Sequence, residues 1–241
     1  LDYKDPKPFR FKQFEVHHHL STFKVNTDGV LLGCSADVSD CKTALDIGTG
    51  TGMISLILAQ RSESLRVTGI ENDPVSASQA KYNADISPFA ERVQIVTADC
   101  FSYDYPHHYD MIVCNPPYFT GGTLPSDSNL SQAKHSSETF LPRLISLATR
   151  LLNPPGQFHF LYPYSDDKQT VQHVSQSKLH LTKKTLLKSY ADSEPYACLY
   201  TLGHRSKAIT EDMLVLYLHD RAYTQQHQEL VREFITKAKK A

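Results

Sequence analysis

Ala44-Leu45-Asp46-Ile47-Gly48-Thr49-Gly50-Thr51-Gly52 carries an apolar run into three alternate glycines, and Met53-Ile54-Ser55-Leu56-Ile57-Leu58-Ala59-Gln60 after it reads as a helix. Strand, glycine turn and helix in that order open a βαβ unit. Glycines at 48, 50 and 52 let the backbone approach a bound nucleoside without side-chain collision, while Asp46 can accept hydrogen bonds inside the turn. The spacing is G-x-G-x-G, without the G-x-G-x-x-G of dinucleotide sites, and suggests a ligand with no pyrophosphate.

The pattern repeats downstream. The apolar run 65–70 ends at Glu71, where an acidic residue receives ribose hydroxyls in such units. Asp73 is the nearby alternative, but Asp73-Pro74 also reads as the cap and first turn of a helix over 74–86. The run 93–98 ends at Asp99, whose carboxylate can accept from an adenine amine, or can be an ordinary loop carboxylate. The run 109–114 ends at Asn115. Asp46, Glu71, Asp99 and Asn115 thus close successive strands at the edge where open α/β sheets bind ligands, and the series as a whole points to S-adenosyl-L-methionine.

Asn115-Pro116-Pro117-Tyr118 supplies a second chemistry. An exocyclic amine on an aromatic base is a weak nucleophile because its lone pair is delocalised. The Asn115 side-chain oxygen and the Pro116 carbonyl can each accept one of its N–H groups as the nitrogen becomes tetrahedral, a stabilisation realised mainly in the transition state. Two prolines restrict the chain and keep those acceptors outward, and the Tyr118 ring offers a face for a planar base. The same residues otherwise mark a turn after a strand.

With 241 residues and 40% hydrophobic content, the chain can bury a substantial core as one domain over 1–241. No stretch is apolar and long enough to cross a bilayer, and the first 24 residues are polar and aromatic, so a cytoplasmic location is expected. The five cysteines lack close pairs and indicate neither a disulfide framework nor a four-cysteine zinc site. His17-His18-His19 and His107-His108 lack the spacing of helical metal ligands, and no metal is expected. A net charge of −1 is low for a protein that holds RNA. Two local clusters could supply a basic face: Lys4, Lys7, Arg10 and Lys12, and Lys183, Lys184, Lys188, Arg205 and Lys207.

Strands are expected near 44–48, 66–71, 93–97, 109–114 and 156–162, alternating with helices near 53–61, 74–86 and 138–152. That rhythm implies a mainly parallel, doubly wound α/β sheet. Strand-like runs at 179–187 and 196–203 complete it, 212–218 is a possible further strand, and a helix is expected over about 224–239. Residues 1–40 form an N-terminal extension in which Thr27 or Asp28 is a candidate helix cap. Residues 119–137 read as a long irregular loop placed to gate substrate, with Lys134 and His135 available for phosphates or base edges.

These residues resemble the bacterial tRNA(Val) adenine-N6 methyltransferases, which modify the adenine adjoining the anticodon. The resemblance covers most of the chain. It rests on Phe11-Lys12-Gln13-Phe14, Lys24-Val25-Asn26-Thr27-Asp28-Gly29-Val30-Leu31-Leu32-Gly33, Asn115-Pro116-Pro117-Tyr118-Phe119 and Ala133-Lys134-His135, the second block being the most specific. It implies a seven-stranded class I methyltransferase (Rossmann-like) sheet with its last strand antiparallel. It also implies that Lys24, Thr27 and Asp28 lie near the methionine end of S-adenosyl-L-methionine, and that Pro117, Tyr118, Phe119, Lys134 and His135 meet the tRNA. The chain departs from the family at Lys134, where Arg is common, and at Gln132, where a basic residue is common. The tetrapeptide also serves enzymes that methylate the side-chain amide of Gln in release factors, which is the nearest rival reading. A noncatalytic RNA-binding protein that kept the fold is another.

Overall fold

Phe9–Arg10 (β1) and Glu15–Val16 (β2) pair antiparallel, and the turn between them stacks Phe11 on Phe14 with ring centroids 4.5 Å apart. Phe14 then meets the edge of Phe89 at 5.9 Å, so the aromatic residues of the Phe11–Phe14 block serve the core. Between them, the Lys12 backbone N–H donates to the Phe234 carbonyl at 2.8 Å and fastens the C-terminal segment to the hairpin. The computed structural model describes residues 1–116 and 130–235, with side chains described from Thr139 onward in the second stretch.

Thr27–Ser35 (α1) is capped by Asn26, whose side-chain oxygen accepts from the Gly29 N–H at 2.8 Å. Asn26, and neither Thr27 nor Asp28, is therefore the cap: it alone has the extended backbone that a cap needs. Thr43–Ile47 (β3) leads through the glycine turn into Met53–Arg61 (α2). Residues 53–59 of α2 are all buried, because the helix lies between the sheet and α1 and has no face left for water. Gly33 makes that layer possible, since a methyl there would lie 3.0 Å from the Ile57 side chain.

Arg66–Glu71 (β4), Pro74–Asp85 (α3), Val93–Thr97 (β5) and Tyr109–Cys114 (β6) continue the alternation, followed by Leu130–Leu151 (α4) and Leu152–Pro163 (β7). Asp167–Ser175 (α5), His180–Lys188 (β8), Pro195–Gly203 (β9), Thr210–Val215 (β10) and Gln225–Leu230 (α6) complete the described chain. Among the described residues the main sheet has eight strands in the order β10-β8-β9-β7-β6-β3-β4-β5. The run from β7 to β5 is parallel, β9 is antiparallel to both its neighbours, and β10 adds a parallel edge beside β8. The antiparallel strand is thus the seventh, and the possible strand read at 212–218 is an eighth.

Successive side chains of the central strands enter two different cores. Met111 and Val113 join the layer containing α1 and α2, while Ile112 and Cys114 join the layer containing α4. In α4, Leu141, Leu144, Ile145 and Ala148 recur at helical spacing to make its buried stripe. Burial on both faces explains why these strands read as continuous apolar runs.

Two expected spans are corrected. Residues 130–137, expected within the 119–137 loop, belong to α4, and 117–129 lie outside the described residues. Of the helix expected over 224–239, the described residues form Gln225–Leu230 followed by turns to residue 235, and 236–239 lie outside them. Helix α5 was not anticipated.

Candidate active site

The sheet reverses its winding between β3 and β6, which leaves a crevice at the carboxyl ends of the strands. A cavity of about 430 Å³ lies there, lined by Gly48 and Gly50 after β3, Glu71 at the end of β4, Asp99 after β5, and Asn115 and Pro116 after β6. Lys24 and Asp28 reach the same cavity from the N-terminal block. Thr27, Asp46 and Gly52 do not line it.

Gly48 and Gly50 adopt left-handed backbone at φ 70° and 56°, and a methyl on either would meet nothing within 4 Å. Both therefore present bare backbone to open space, a cradle that any side chain would fill. The Gly48 and Thr49 N–H groups donate to the Ile70 carbonyl at 2.9 and 3.1 Å, tying the turn to β4. Gly52 is the N-cap residue of α2, and its backbone packs close to Ala80 of α3.

Asp46 works beneath the turn. Its Oδ2 accepts from the Thr49 hydroxyl at 2.7 Å and from the Ser55 hydroxyl and N–H at 2.7 and 3.1 Å, while buried Oδ1 has no partner among the described residues. Burial pushes the Asp46 carboxyl up to about 6, against the pull of those hydrogen bonds. The native state then holds the Asp46 proton more tightly than the unfolded chain, so this group's contribution to stability falls as pH rises from about 4 to about 6. His159, pushed down to about 4 by burial, slopes the other way but is common to wild type and Asp46→Asn. Wild-type stability relative to Asp46→Asn is expected to decline by up to about 3 kcal/mol between pH 4 and pH 7. Urea denaturation at each pH measures it, and a pH-independent difference would contradict the shifted carboxyl.

Glu71 receives the Gly50 N–H on Oε2 at 2.9 Å and the Asp73 N–H on Oε1 at 3.0 Å. Each oxygen keeps further acceptor capacity toward the cavity. Asp73, the alternative, caps α3 by accepting from the Ser76 N–H and hydroxyl at 2.9 and 2.6 Å, and does not line the cavity. Asp99 Oδ1 accepts from the Phe101 N–H at 2.9 Å. Phe101 and Phe140 form an aromatic wall beside it, 5.5 Å apart edge to face, with the Arg143 guanidinium 3.9 Å above the Phe101 ring.

Among the described residues Asn115 Oδ1 is buried without a partner, a state that normally costs about 1–3 kcal/mol and calls for a donor from ligand or water. A methyl placed on Gly29 would lie 3.6 Å from Asn115 Nδ2, so the N-terminal block and the tetrapeptide meet here. Asp28 Oδ1 accepts from the Tyr196 hydroxyl at 3.1 Å, a link between α1 and β9 across 168 positions that no local pattern announces. The sequence reading also missed Phe101, Phe140 and Phe23 as lining residues. The position of Phe101, two beyond Asp99, was a usable signal for the first, whereas Phe140 reaches the cavity only through the packing of α4.

Pro117, Tyr118 and Phe119 lie outside the described residues, as do the side chains of Lys134 and His135. Two lysines of the expected C-terminal cluster are neutralised by acidic neighbours: Lys183 pairs with Asp212 at 2.9 Å, and Lys184 with Asp167 and Glu211 at 3.3 and 3.6 Å. Among the described residues no group of His, Cys, Asp and Glu is placed to hold a metal, and no helix is long and apolar enough to cross a membrane.

The cavity fits S-adenosyl-L-methionine. Bare glycine backbone leaves room for it, Glu71 and Asp99 offer acceptors to hydroxyl and amine donors, and carboxylates around the cavity favour a cationic sulfonium. The family model of the methyltransferase small domain matches residues 26–162. A tRNA1(Val) (adenine(37)-N6)-methyltransferase of Aliivibrio fischeri is 34% identical over 229 residues, covering 95% of this chain and 97% of the relative. One of the same name from Phocaeicola vulgatus is 34% identical over 230 residues, covering 95% and 98%. In fold the chain is similar to a predicted O-methyltransferase of Agrobacterium tumefaciens, with a TM-score of 0.67 at 18% identity over 86% of this chain and 96% of that one. The strand order, the glycine cradle and near full-length similarity to these relatives agree, and the chain belongs to the methyltransferase small domain family and, within it, to the bacterial tRNA(Val) adenine-N6 methyltransferases.

Proposed function

We infer that this chain is an enzyme that transfers a methyl group from S-adenosyl-L-methionine to the N6 amine of an adenine in tRNA, and we propose that the adenine is the one beside the anticodon of tRNA(Val), modified in the cytoplasm. The observation that carries this reading is the buried Asn115 Oδ1, without a partner among the described residues, in the same cavity as the glycine cradle and Glu71. The names and near full-length similarity of the relatives support the substrate.

On this reading Gly48 and Gly50 admit the donor against bare backbone, Glu71 accepts from its ribose hydroxyls, and Asp99 accepts from its adenine amine. Lys24 and Asp28 serve its methionine end, Thr27, which does not line the cavity, begins the helix that carries Asp28, and Asp46 and Gly52 hold the turn from below. When bound, the donor supplies an electrophilic methyl on a sulfonium, so the new N–C bond forms as the S–C bond breaks. Asn115 and the Pro116 carbonyl hold both N–H groups of the target amine, and Tyr118, with Pro117 and Phe119, receives the base extruded from its stack. Lys134 and His135 contact the RNA backbone or base edges. No strong base is required, because the proton leaves after the nitrogen has become cationic.

Incubation of the purified protein with labelled donor and either total bacterial tRNA or release factors tests the assignment. Label is expected in tRNA as N6-methyladenosine, and nucleoside mass spectrometry with fragment mapping should place it next to the tRNA(Val) anticodon. Label in the protein substrate alone would favour the glutamine reading. Donor binding without transfer to either would favour a noncatalytic RNA-binding protein.

A further inference from the structure

We propose that Phe23 is a stacking platform for a base of the substrate RNA beside the extruded adenine, an inference that rests on the tRNA methyltransferase reading above. Phe23 lines the rim of the cavity yet leaves 56% of its surface exposed. Among the described residues, the other exposed Phe or Tyr side chain is Tyr223, and that ring stacks on His227 at 4.2 Å. Exposing an aromatic ring sacrifices hydrophobic stabilisation, so its position at the entrance to the cavity asks for an occupant.

The loop that carries Phe23 is held so that the ring cannot simply collapse into the core. Ser21 is buried and its hydroxyl donates to Ser76 Oγ at 3.3 Å, and the Thr22 N–H donates to the same oxygen at 3.3 Å. Ser76 is itself fixed by Asp73 at the start of α3. On the other side, the Val25 N–H donates to His18 Nδ1 at 3.4 Å and Asn26 caps α1. Phe23 therefore sits between two anchored points, presented in advance of binding.

The chemistry of the rim selects the occupant. Lys24, the next residue, is exposed and cationic, and an aromatic face beside a cation is how proteins hold single-stranded nucleic acid. The donor offers one planar group, its adenine, and the Phe101–Phe140 wall beside Asp99 already provides for it. Ribose and the methionine chain have no π face to stack. An RNA strand that delivers one base to Asn115 must bring its neighbouring bases past this rim.

Kinetics of tRNA methylation by wild type, Phe23→Ala, Phe23→Leu and Phe23→Trp, with donor affinity from calorimetry, test the proposal. Phe23→Ala is expected to raise KM for tRNA about five- to hundred-fold and Phe23→Leu to rescue little of it. Phe23→Trp should return to within about twofold of wild type, with the donor Kd changed less than about twofold in all three variants. An unchanged KM for tRNA in Phe23→Ala, full rescue by Leu, or a loss confined to donor Kd would overturn it, the last reassigning Phe23 to a cover over the donor. If wild type itself leaves tRNA unmethylated, the underlying reading falls and this inference falls with it. If wild type methylates tRNA and the variants match it, only the inference fails.

Discussion

Asn115→Ala is expected to lower the turnover of tRNA methylation about a hundred- to a thousand-fold while leaving the Kd for S-adenosyl-L-methionine within about threefold of wild type. Among the described residues the buried Oδ1 of Asn115 has no partner, which leaves it acceptor capacity, and the proposed donor to it is the amine that attacks. As that nitrogen gains positive character, its N–H groups become stronger donors, and the contribution of the acceptor grows toward the transition state. Removing it therefore acts on turnover more than on binding. Alanine at 115 removes polar atoms without adding bulk, and a thermal melt checks that the fold stays intact. Single-turnover rates with saturating donor, alongside calorimetry, separate the two effects. An undiminished rate would remove Asn115 from the chemistry, and a matching loss of donor affinity would place it in the donor site instead.

Gly50→Val should weaken donor binding about a hundred-fold or more, with Gly50→Ala losing about tenfold. The backbone at Gly50 has φ 56°, where a side chain costs about 1–2 kcal/mol and a β-branched one more. Its N–H also holds Glu71 Oε2 at 2.9 Å, so a turn that relaxes to relieve the strain moves the proposed ribose ligand with it. The added methyls would also occupy the open cradle directly. Titration calorimetry with S-adenosyl-L-methionine reads the loss, and a thermal melt checks that the protein remains folded. Valine at 50 with donor affinity within about threefold of wild type would mean that the ligand does not pass over this turn.

Much of the sheet was legible because its strands are short, apolar and separated by glycine, proline or acidic residues, and because the two buried faces leave no polar alternation to confuse the pattern. The strands read at 66–71, 93–97 and 109–114 coincide with β4, β5 and β6. Element ends after residue 115 were harder. Helix α4 begins in the polar segment Leu130-Ser131-Gln132-Ala133, which carries no apolar stripe of its own. Among the described residues, the buried stripe that identifies α4 as a core helix starts at Leu141. Likewise, the lysines grouped by sequence at 183–188 looked like a basic patch until β10, lying beside β8, placed Glu211 and Asp212 against them.

By itself, the sequence determined which residues end each strand, and hence that Gly48, Gly50, Glu71, Asp99 and Asn115 would share one edge, because parallel strands joined by helices all deliver their carboxyl ends to the same side. Tertiary structure alone decided which of the acidic residues line the cavity and which serve the frame. Asp46 and Glu71 are both carboxylates after apolar runs, yet Asp46 points into the hydroxyls of Thr49 and Ser55, whereas Glu71 opens on the cavity. It also decided that Tyr196 meets Asp28 and that Phe23 stands exposed at the rim, since both depend on how distant segments pack and neither leaves a trace in local spacing.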